Sequence, residues 1–153
     1  HLDRMFTDRR QRRGINLIPL GHAVPGLVRS LRAGGVVSLL ADRDFTGRGH
    51  PCTFFGAEAR LPLGAAILAL KTGAPIVPAY MLRQVDDRFL LKFHPPILPD
   101  GGRTVDELQS QVVSSMEDVI GEHPYQWFIF HDFWRATRYR GNAGGSDAPV
   151  GAA

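Results

Sequence analysis

The sequence is poor in cysteine and contains no long apolar stretch. A single cysteine, Cys52, among 153 residues excludes an internal disulfide framework and a zinc site built from several cysteines. No stretch approaches the roughly 20 apolar residues that a membrane-spanning helix needs, and the first residues lack the apolar core of a signal peptide. The composition, 44% hydrophobic and 22% charged, is that of one modest globular domain.

Lysine is also scarce, so the basic character of the chain rests on arginine. Lys71 and Lys92 are the two lysines, and the net charge is +3. Because the guanidinium fork suits phosphate and carboxylate groups, three interpretations are open: a solvated face, a surface for anionic lipid headgroups or an acidic carrier, and a nucleic-acid surface. The last has the least support, since the sequence contains no aromatic-interleaved platform and no DNA-binding motif. The arginines cluster near the N-terminus at Arg4, Arg9, Arg10, Arg12 and Arg13.

Hydrophobic periodicity predicts alternating helices and strands. The uninterrupted apolar strands are typical of buried, parallel strands, and the alternation predicts an α/β fold with a layered, mostly parallel sheet flanked by helices. Asp86 and Asp87 indicate the turn of an antiparallel hairpin. The helices are predicted at residues 3–12, 24–33, 63–72 and 104–121, and the strands at 15–20, 36–41, 53–55, 75–82 and 89–94.

The two ends of the chain differ in character from its middle. The sequence begins with a histidine inside a helical pattern, so we expect it to be a piece of a longer protein. Residues 141–153 are rich in Gly, Ala and Ser, a composition that predicts a disordered tail. The domain is therefore expected to span residues 1–140.

Charged side chains follow two of the predicted strands. Asp42 and Asp44 come directly after the strand at 36–41, and Arg83 follows the strand at 75–82. Because sites in parallel sheets lie at the carboxyl ends of the strands, this placement predicts a cleft. The two carboxylates would bind a metal, orient a base or hold an arginine. Alternatively, they form an acidic turn paired with a neighbouring arginine, for which the candidates are Arg43, Arg48 and Arg60.

Two other local patterns involve the same aspartates. The motif Asp42-x-Asp44-x-Thr46 after an apolar strand fits the nucleophile loop of haloacid-dehalogenase-like, Mg²⁺-dependent phosphatases. That chemistry also needs a lysine and a further acidic pair, whereas Lys71 lies in a predicted helix. A metal site from Asp42, Asp44 and His50 lacks the second histidine at the usual spacing.

The histidines show no local general-base motif. None of the six has Asp or Glu five positions later, and no Gly-x-Ser-x-Gly elbow occurs. The aromatic segment at 125–134 has two interpretations, which are core packing and contact with a lipid interface. The histidines are His1, His22, His50, His94, His123 and His131.

Residues 36–83 as a whole resemble one family. They contain Asp-x-Asp and a Gly-rich turn after a strand, then Phe54-Phe55-Gly56, Leu-Pro-x-Gly and Thr-Gly-Ala-Pro-Ile-Val-Pro. Arg-Arg-Gly at 12–14 and Glu-His-Pro-x-Gln-Trp at 122–127 agree with this pattern. The chain thus looks like the late acyltransferases of lipid A biosynthesis and their actinobacterial relatives, the phosphatidylinositol mannoside acyltransferases.

This resemblance implies an activity and its partners. Such enzymes move a fatty acyl group from an acyl carrier protein or coenzyme A thioester to a hydroxyl of a glycolipid. They need no cofactor or metal and work at the cytoplasmic face of the plasma membrane. Their general base is the histidine of a His-x4-Asp/Glu motif upstream of the Arg-Gly region. Because this sequence has no such motif, we expect an N-terminally incomplete domain that is inactive alone, or a non-catalytic lipid-binding remnant.

The resemblance also assigns roles to individual residues. Asp42 and Asp44 match the acidic site motif and are expected to organise the acceptor headgroup or the general-base histidine. The remaining candidates are expected to bind substrate, as parts of the pocket wall or as phosphate and carrier contacts. They are Arg13, Arg43, Phe54, Phe55, Gly56, Pro78 and Arg83.

Overall fold

The computed structural model describes residues 2–18, 23–44, 47–130 and 133–134. The chain divides into two compact units, residues 1–38 and residues 39–153, and each is described by itself. The α/β class predicted from the sequence is confirmed, since both units contribute helices and the second contains β-strands. The predicted tail at 141–153 lies outside the described residues.

The first unit contains two short helices. Helix α1 spans Leu2–Gln11 and helix α2 spans Ala23–Arg32, so both predicted helices are confirmed to within one residue. A turn that contains Gly14 follows α1, and in it the Ile15 N–H donates a hydrogen bond to the Arg10 carbonyl at 3.0 Å. The strand predicted at 15–20 is not found over residues 15–18, and residues 19–20 lie outside the described part.

The strand predicted at 36–41 is wrong for this structure. These residues adopt no regular secondary structure, and two of their apolar side chains, Val36 at 95% and Leu40 at 76%, are largely exposed. An apolar run becomes a strand only where a neighbouring strand pairs with its backbone. No described segment pairs with residues 36–41.

The second unit begins with a hairpin that the sequence only half predicted. Strand β1 spans His50–Phe54 and strand β2 spans Ala57–Leu61, and they pair antiparallel with Phe54 opposite Ala57. The prediction found the end of β1 but missed β2. The reason is that Ala57–Leu61 contains only small, charged and apolar residues and none of the aromatic or β-branched residues that indicate a strand.

Two helices follow the predicted bounds closely. Helix α3 spans Gly64–Thr72 and ends at Gly73, whose N–H donates to the Ala69 carbonyl. Helix α4 spans Val105–Glu122. At its start the Thr104 hydroxyl accepts from the Glu107 N–H, and the Glu107 carboxylate accepts from the Thr104 N–H. The capping box predicted from these two residues is therefore confirmed.

Between these helices lies a second antiparallel hairpin. Strand β3 spans Ala79–Arg83, strand β4 spans Phe89–Phe93, and an Ile76–Ile97 bridge extends their pairing. The predicted hairpin turn is confirmed. The layered, mostly parallel sheet is not among the described elements, since both described sheets have two antiparallel strands. The connection after β3 is a short turn, which can only return antiparallel.

The core of the second unit joins the first hairpin to α3 and α4. Small residues on β2 and α3 allow close packing against larger side chains of α4. The short 3-10 helix at Pro124–Gln126 then leads the chain back over the first hairpin. The buried cluster comprises Phe54, Ala59, Leu61, Ala66, Ala69, Ile97, Leu108, Val112, Val113, Met116 and Phe133.

Candidate functional site

The acidic motif lies in an irregular loop that follows Ala41. Asp42 forms an ion pair with its neighbour Arg43, with 3.7 Å between Oδ2 and Nε. Arg43 also donates from Nη2 to the carbonyl oxygen of Phe128 at 2.6 Å. Arg43 therefore links the acidic loop to the C-terminal aromatic segment. This pairing is the one that the acidic-turn interpretation predicts for Asp42.

Asp44 closes the other end of this loop. Its Oδ2 accepts from the Gly49 N–H at 2.7 Å, and Arg60 Nη1 donates to the Gly49 carbonyl at 3.1 Å. A Cβ at Gly49 would lie 3.0 Å from the Arg60 carbonyl carbon and from Asp44 Oδ2, so a larger residue there would force these neighbours to shift. One oxygen of Asp44 is thus committed to loop structure. Thr46, the third residue of the phosphatase-like motif, lies outside the described residues.

The Phe-Phe-Gly segment forms the turn of the first hairpin. Phe55 and Gly56 both have positive φ, at 49° and 73°, as in the two-residue turns that favour hairpins. Phe54 is 1% exposed, and its ring centroid lies 5.5 Å from that of Trp127 and 5.8 Å from that of Phe133. The Trp134 indole N–H donates to the Phe54 carbonyl at 3.3 Å. Phe54 is therefore a core residue, whereas Phe55 projects outward.

The aromatic segment divides between the two interpretations. Trp127, Phe133 and Trp134 pack around Phe54, as the core interpretation requires. Other aromatic side chains of the segment, at Tyr125, Phe128 and Phe130, are exposed.

Arg83 belongs to the second hairpin. Its Nη2 lies 2.7 Å from Asp87 Oδ1 across the turn. Its backbone N–H donates to Gln126 Oε1 at 2.8 Å, and its carbonyl accepts from Gln126 Nε2 at 3.1 Å. The guanidinium is therefore paired within its own hairpin. Pro78 precedes β3, where its carbonyl accepts from the His94 N–H at 2.9 Å.

Direct contacts link some of the predicted site residues to one another. Asp42 and Arg43 are paired with each other, and Phe54 contacts Phe55, with 4.8 Å between ring centroids. Arg13 lies in the turn after α1, in the first unit, and is exposed there.

A polar network that sequence reasoning missed joins the second hairpin to α4. The Tyr80 and Ser115 hydroxyls are 2.8 Å apart, and Ser115 Oγ lies 3.0 Å from His94 Nδ1. Burial raises the pKa of Tyr80, partly offset by the Ser115 hydrogen bond. The network borders a shallow cavity of about 220 Å³ that Pro78 also lines. Contacts between positions 80, 94 and 115 leave no local signal in a sequence.

A second missed contact pairs a histidine with a carboxylate. His50 Nε2 lies 3.0 Å from Asp106 Oδ1, and both side chains are substantially exposed. Asp106 follows His50 by 56 positions, far beyond the five-position spacing of a His-x4-Asp/Glu motif. Imidazole–carboxylate pairs occur in general-base catalysis, but exposed pairs of this kind are also common on surfaces.

Within the described residues, no three His, Cys, Asp or Glu side chains are grouped to hold a metal ion. No helix of the described part is both long enough and apolar enough to cross a membrane. The described candidate residues lie in polar loops and in an aromatic turn beside the core of the second unit. They offer hydrogen-bonding, ionic and apolar contacts to a ligand.

Comparison with known proteins identifies the class. The sequence profile of the bacterial lipid A biosynthesis acyltransferases matches residues 1–136, and the chain belongs to this family. A phosphatidylinositol mannoside acyltransferase of Mycobacterium tuberculosis (strain ATCC 25618 / H37Rv) is 31% identical over 135 residues, which cover 86% of this chain and 42% of the relative. The protein of the same name from Mycolicibacterium smegmatis is 28% identical over 139 residues, or 88% of this chain and 45% of the relative. The chain thus spans less than half the length of these relatives.

Proposed function

We propose that the protein containing this chain transfers a fatty acyl group from an acyl thioester to a hydroxyl of a glycolipid in envelope lipid biosynthesis. The family match over residues 1–136 is the observation that carries this proposal. The names of the mycobacterial relatives favour a mannosylated phosphoinositide over a lipid A precursor as acceptor. Acyl carrier protein and coenzyme A are the two candidate carriers, and no cofactor or metal takes part.

In this proposal the chain supplies the acceptor- and acyl-binding half of a longer acyltransferase domain, within residues 1–140. The general base comes from a His-x4-Asp/Glu motif elsewhere in that domain. The chain's partial coverage of its relatives, 42% of the Mycobacterium tuberculosis protein, supports this division. The predicted parallel sheet belongs to the same proposal, because the exposed apolar side chains Val36 and Leu40 suit a strand that gains a neighbour there.

Asp42 is the residue to which we assign the acceptor headgroup or the orientation of the base. Asp44 contributes by fixing the loop, because it accepts from the Gly49 N–H. Arg43 ties that loop to the Phe128 carbonyl, which leaves part of its guanidinium for substrate. The substrate roles of Arg13, Pro78 and Arg83 stay predictions.

We place the protein at the cytoplasmic face of the plasma membrane. Arg9 and Arg10 in the last turn of α1 are exposed and suit anionic headgroups. Among the aromatic residues, Tyr125, Phe128 and Phe130 are exposed, as at a lipid interface. Nucleic acid is not a partner in this proposal.

The test uses the full-length protein purified in detergent, with palmitoyl-coenzyme A or palmitoyl-acyl carrier protein and a phosphatidylinositol mannoside. We expect acylation of the mannoside by the wild type and its loss in Asp42→Ala. Asp86→Ala is the matched control, because Asp86 pairs with Arg88 in the second hairpin turn and should retain activity. Wild-type turnover in Asp42→Ala would remove Asp42 from the site.

Residues 1–153 alone should transfer no acyl group in this assay, since the proposed base lies elsewhere. Acylation by the isolated chain would contradict the proposed division. A Mg²⁺-dependent hydrolysis of p-nitrophenyl phosphate that Asp42→Asn abolishes would instead support the phosphatase hypothesis. Binding of anionic vesicles without turnover by the full-length protein would support the lipid-binding remnant.

A further inference from the structure

We propose that Glu117 is a positioning residue that holds the Phe55 ring in place to contact the aliphatic chain of the acyl substrate. This inference rests on the proposed function and assigns one part of its acyl-binding surface. It arises from a contact between the first hairpin and α4 that no motif in the sequence indicates.

The Glu117 carboxylate accepts a hydrogen bond from the Phe55 backbone N–H, 62 positions away in the chain. Glu117 lies on α4 beside the buried Met116, so its backbone is fixed by the core. A charge-assisted hydrogen bond from a rigid helix to the turn restrains the turn more than a solvent contact would. The restraint acts on the one residue of the turn whose side chain faces outward.

Phe55 has a backbone conformation that its side chain disfavours. Its φ of 49° lies in the left-handed region, where bulky residues are outliers and Asn or Gly are favoured. Strain of this kind persists where surrounding contacts impose it, and it concentrates at functional positions. Here the Glu117 hydrogen bond on one side and the Phe54 packing on the other impose it.

The core does not require the Phe55 ring. Phe54 fills the aromatic cluster and is 1% exposed, whereas Phe55 is 44% exposed. The ring that remains available to a ligand is therefore that of Phe55, whose centroid lies 4.8 Å from that of Phe54.

The chemistry of the turn fits an aliphatic chain. Phe55 offers an apolar surface without a hydroxyl or indole N–H, and it continues an aromatic cluster. The nearby Glu117 carboxylate accepts from the Phe55 N–H through Oε1, which commits that oxygen to the turn. A methylene chain gains most from such a surface through the hydrophobic effect.

The test measures binding of dodecanoyl-coenzyme A to the full chain through the fluorescence of Trp127 and Trp134, which both pack against Phe54. We expect Glu117→Ala to weaken binding by about tenfold, the size expected for losing one apolar contact. Glu117→Gln keeps an oxygen acceptor and should bind nearly as the wild type does. Glu122→Ala is the matched control, because Glu122 lies on the same helix and contacts Lys92 of the other hairpin.

Phe55→Asn separates positioning from stability. Asparagine tolerates positive φ, so this variant should unfold at a higher temperature than the wild type and still bind dodecanoyl-coenzyme A more weakly. A purely structural role would move stability and binding in the same direction. Free coenzyme A and methyl mannoside serve as competitors, and displacement by methyl mannoside would overturn the acyl assignment in favour of sugar stacking.

Two failures are distinguishable. If the wild type binds and the Glu117 and Phe55 variants bind equally well, the inference is wrong and the proposed function stands. If the wild type does not bind, the acyl-binding role proposed for this chain fails, and this inference fails with it.

Discussion

The two hairpins of the second unit have similar strand lengths and turns but differ in how far their side chains are buried. Each pairs two five-residue strands, and each turn holds a non-glycine residue at positive φ, Phe55 in one and Asp87 in the other. The first hairpin buries Phe54 and Leu61 almost completely, whereas the second leaves Phe93 62% exposed. The first hairpin therefore buries the larger aromatic and aliphatic side chains, whereas the second adds to its one buried strand residue, Leu82, polar contacts with α4 and Gln126.

The two hairpins thus contact the same helix, α4, in two different ways. Packing favours a single position because a close-packed ring has no alternative site. Hydrogen bonds fix a position only while every partner is present, since an unpaired buried group is costly. The two hairpins should therefore respond differently to the same kind of substitution.

The largest expected difference concerns a phenylalanine in each hairpin. Phe54→Ala should lower the free energy of unfolding by about 3–5 kcal/mol, because it leaves a cavity among Trp127, Phe133 and Trp134. Phe93→Ala removes an exposed ring and should cost less than about 1 kcal/mol. Urea unfolding monitored by circular dichroism measures both free energies. Similar decreases in the two variants would contradict the proposed difference in burial between the hairpins.

An intermediate effect is expected from Ser115→Ala. The change leaves the Tyr80 hydroxyl and His94 Nδ1 without their shared partner and should cost about 1–3 kcal/mol. Ser114→Ala, at an exposed neighbouring position on the same helix, should be nearly neutral. Equal stability of the two variants would mean that the network does not hold the second hairpin.

The smallest effect is a difference in pH dependence. Burial raises the pKa of Cys52 above its ordinary value of 9.0 and that of Tyr80 above 10.0. Folding favours the neutral form of each, so their ionisation does not change stability near neutral pH. Stability then falls as the pH rises from the ordinary pKa toward the raised one. The first hairpin should therefore weaken from about pH 9 and the second from about pH 10.

Thermal unfolding from pH 8 to pH 11 measures this loss. Cys52→Ala should remove the earlier part of it, and Tyr80→Phe the later part. If Tyr80→Phe leaves the alkaline profile unchanged, Tyr80 is not the group that titrates in the second hairpin.

Local signals in the sequence predicted the local structure well. Thr104 and Glu107 predicted the start of α4, Asp86 and Asp87 predicted the second turn, and the family motifs predicted the class. The cap and the turn depend on residues only a few positions apart, and each family motif is itself a short segment. The first turn was harder, because Phe55 occupies a conformation that its residue type disfavours.

The sequence could not predict features that depend on distant partners. Residues 36–41 have the composition of a buried strand, yet a strand also needs a neighbour, and composition does not reveal whether one is present. The contacts from Glu117 to Phe55 and from Tyr80 through Ser115 to His94 join residues 21 to 62 positions apart. The roles of Asp42 and Asp44 likewise stay predictions, although their loop contacts are now defined.

Gln126 limits how a further strand can pair with β3 of the second hairpin. Its side-chain amide both donates to and accepts from the Arg83 backbone, as a residue of an adjacent strand would. A further strand that approached this edge of β3 would therefore find Arg83 already occupied and could pair only with the residues before it. One glutamine thus limits the length of any sheet that extends from this edge, and it lowers the risk of pairing with another chain there.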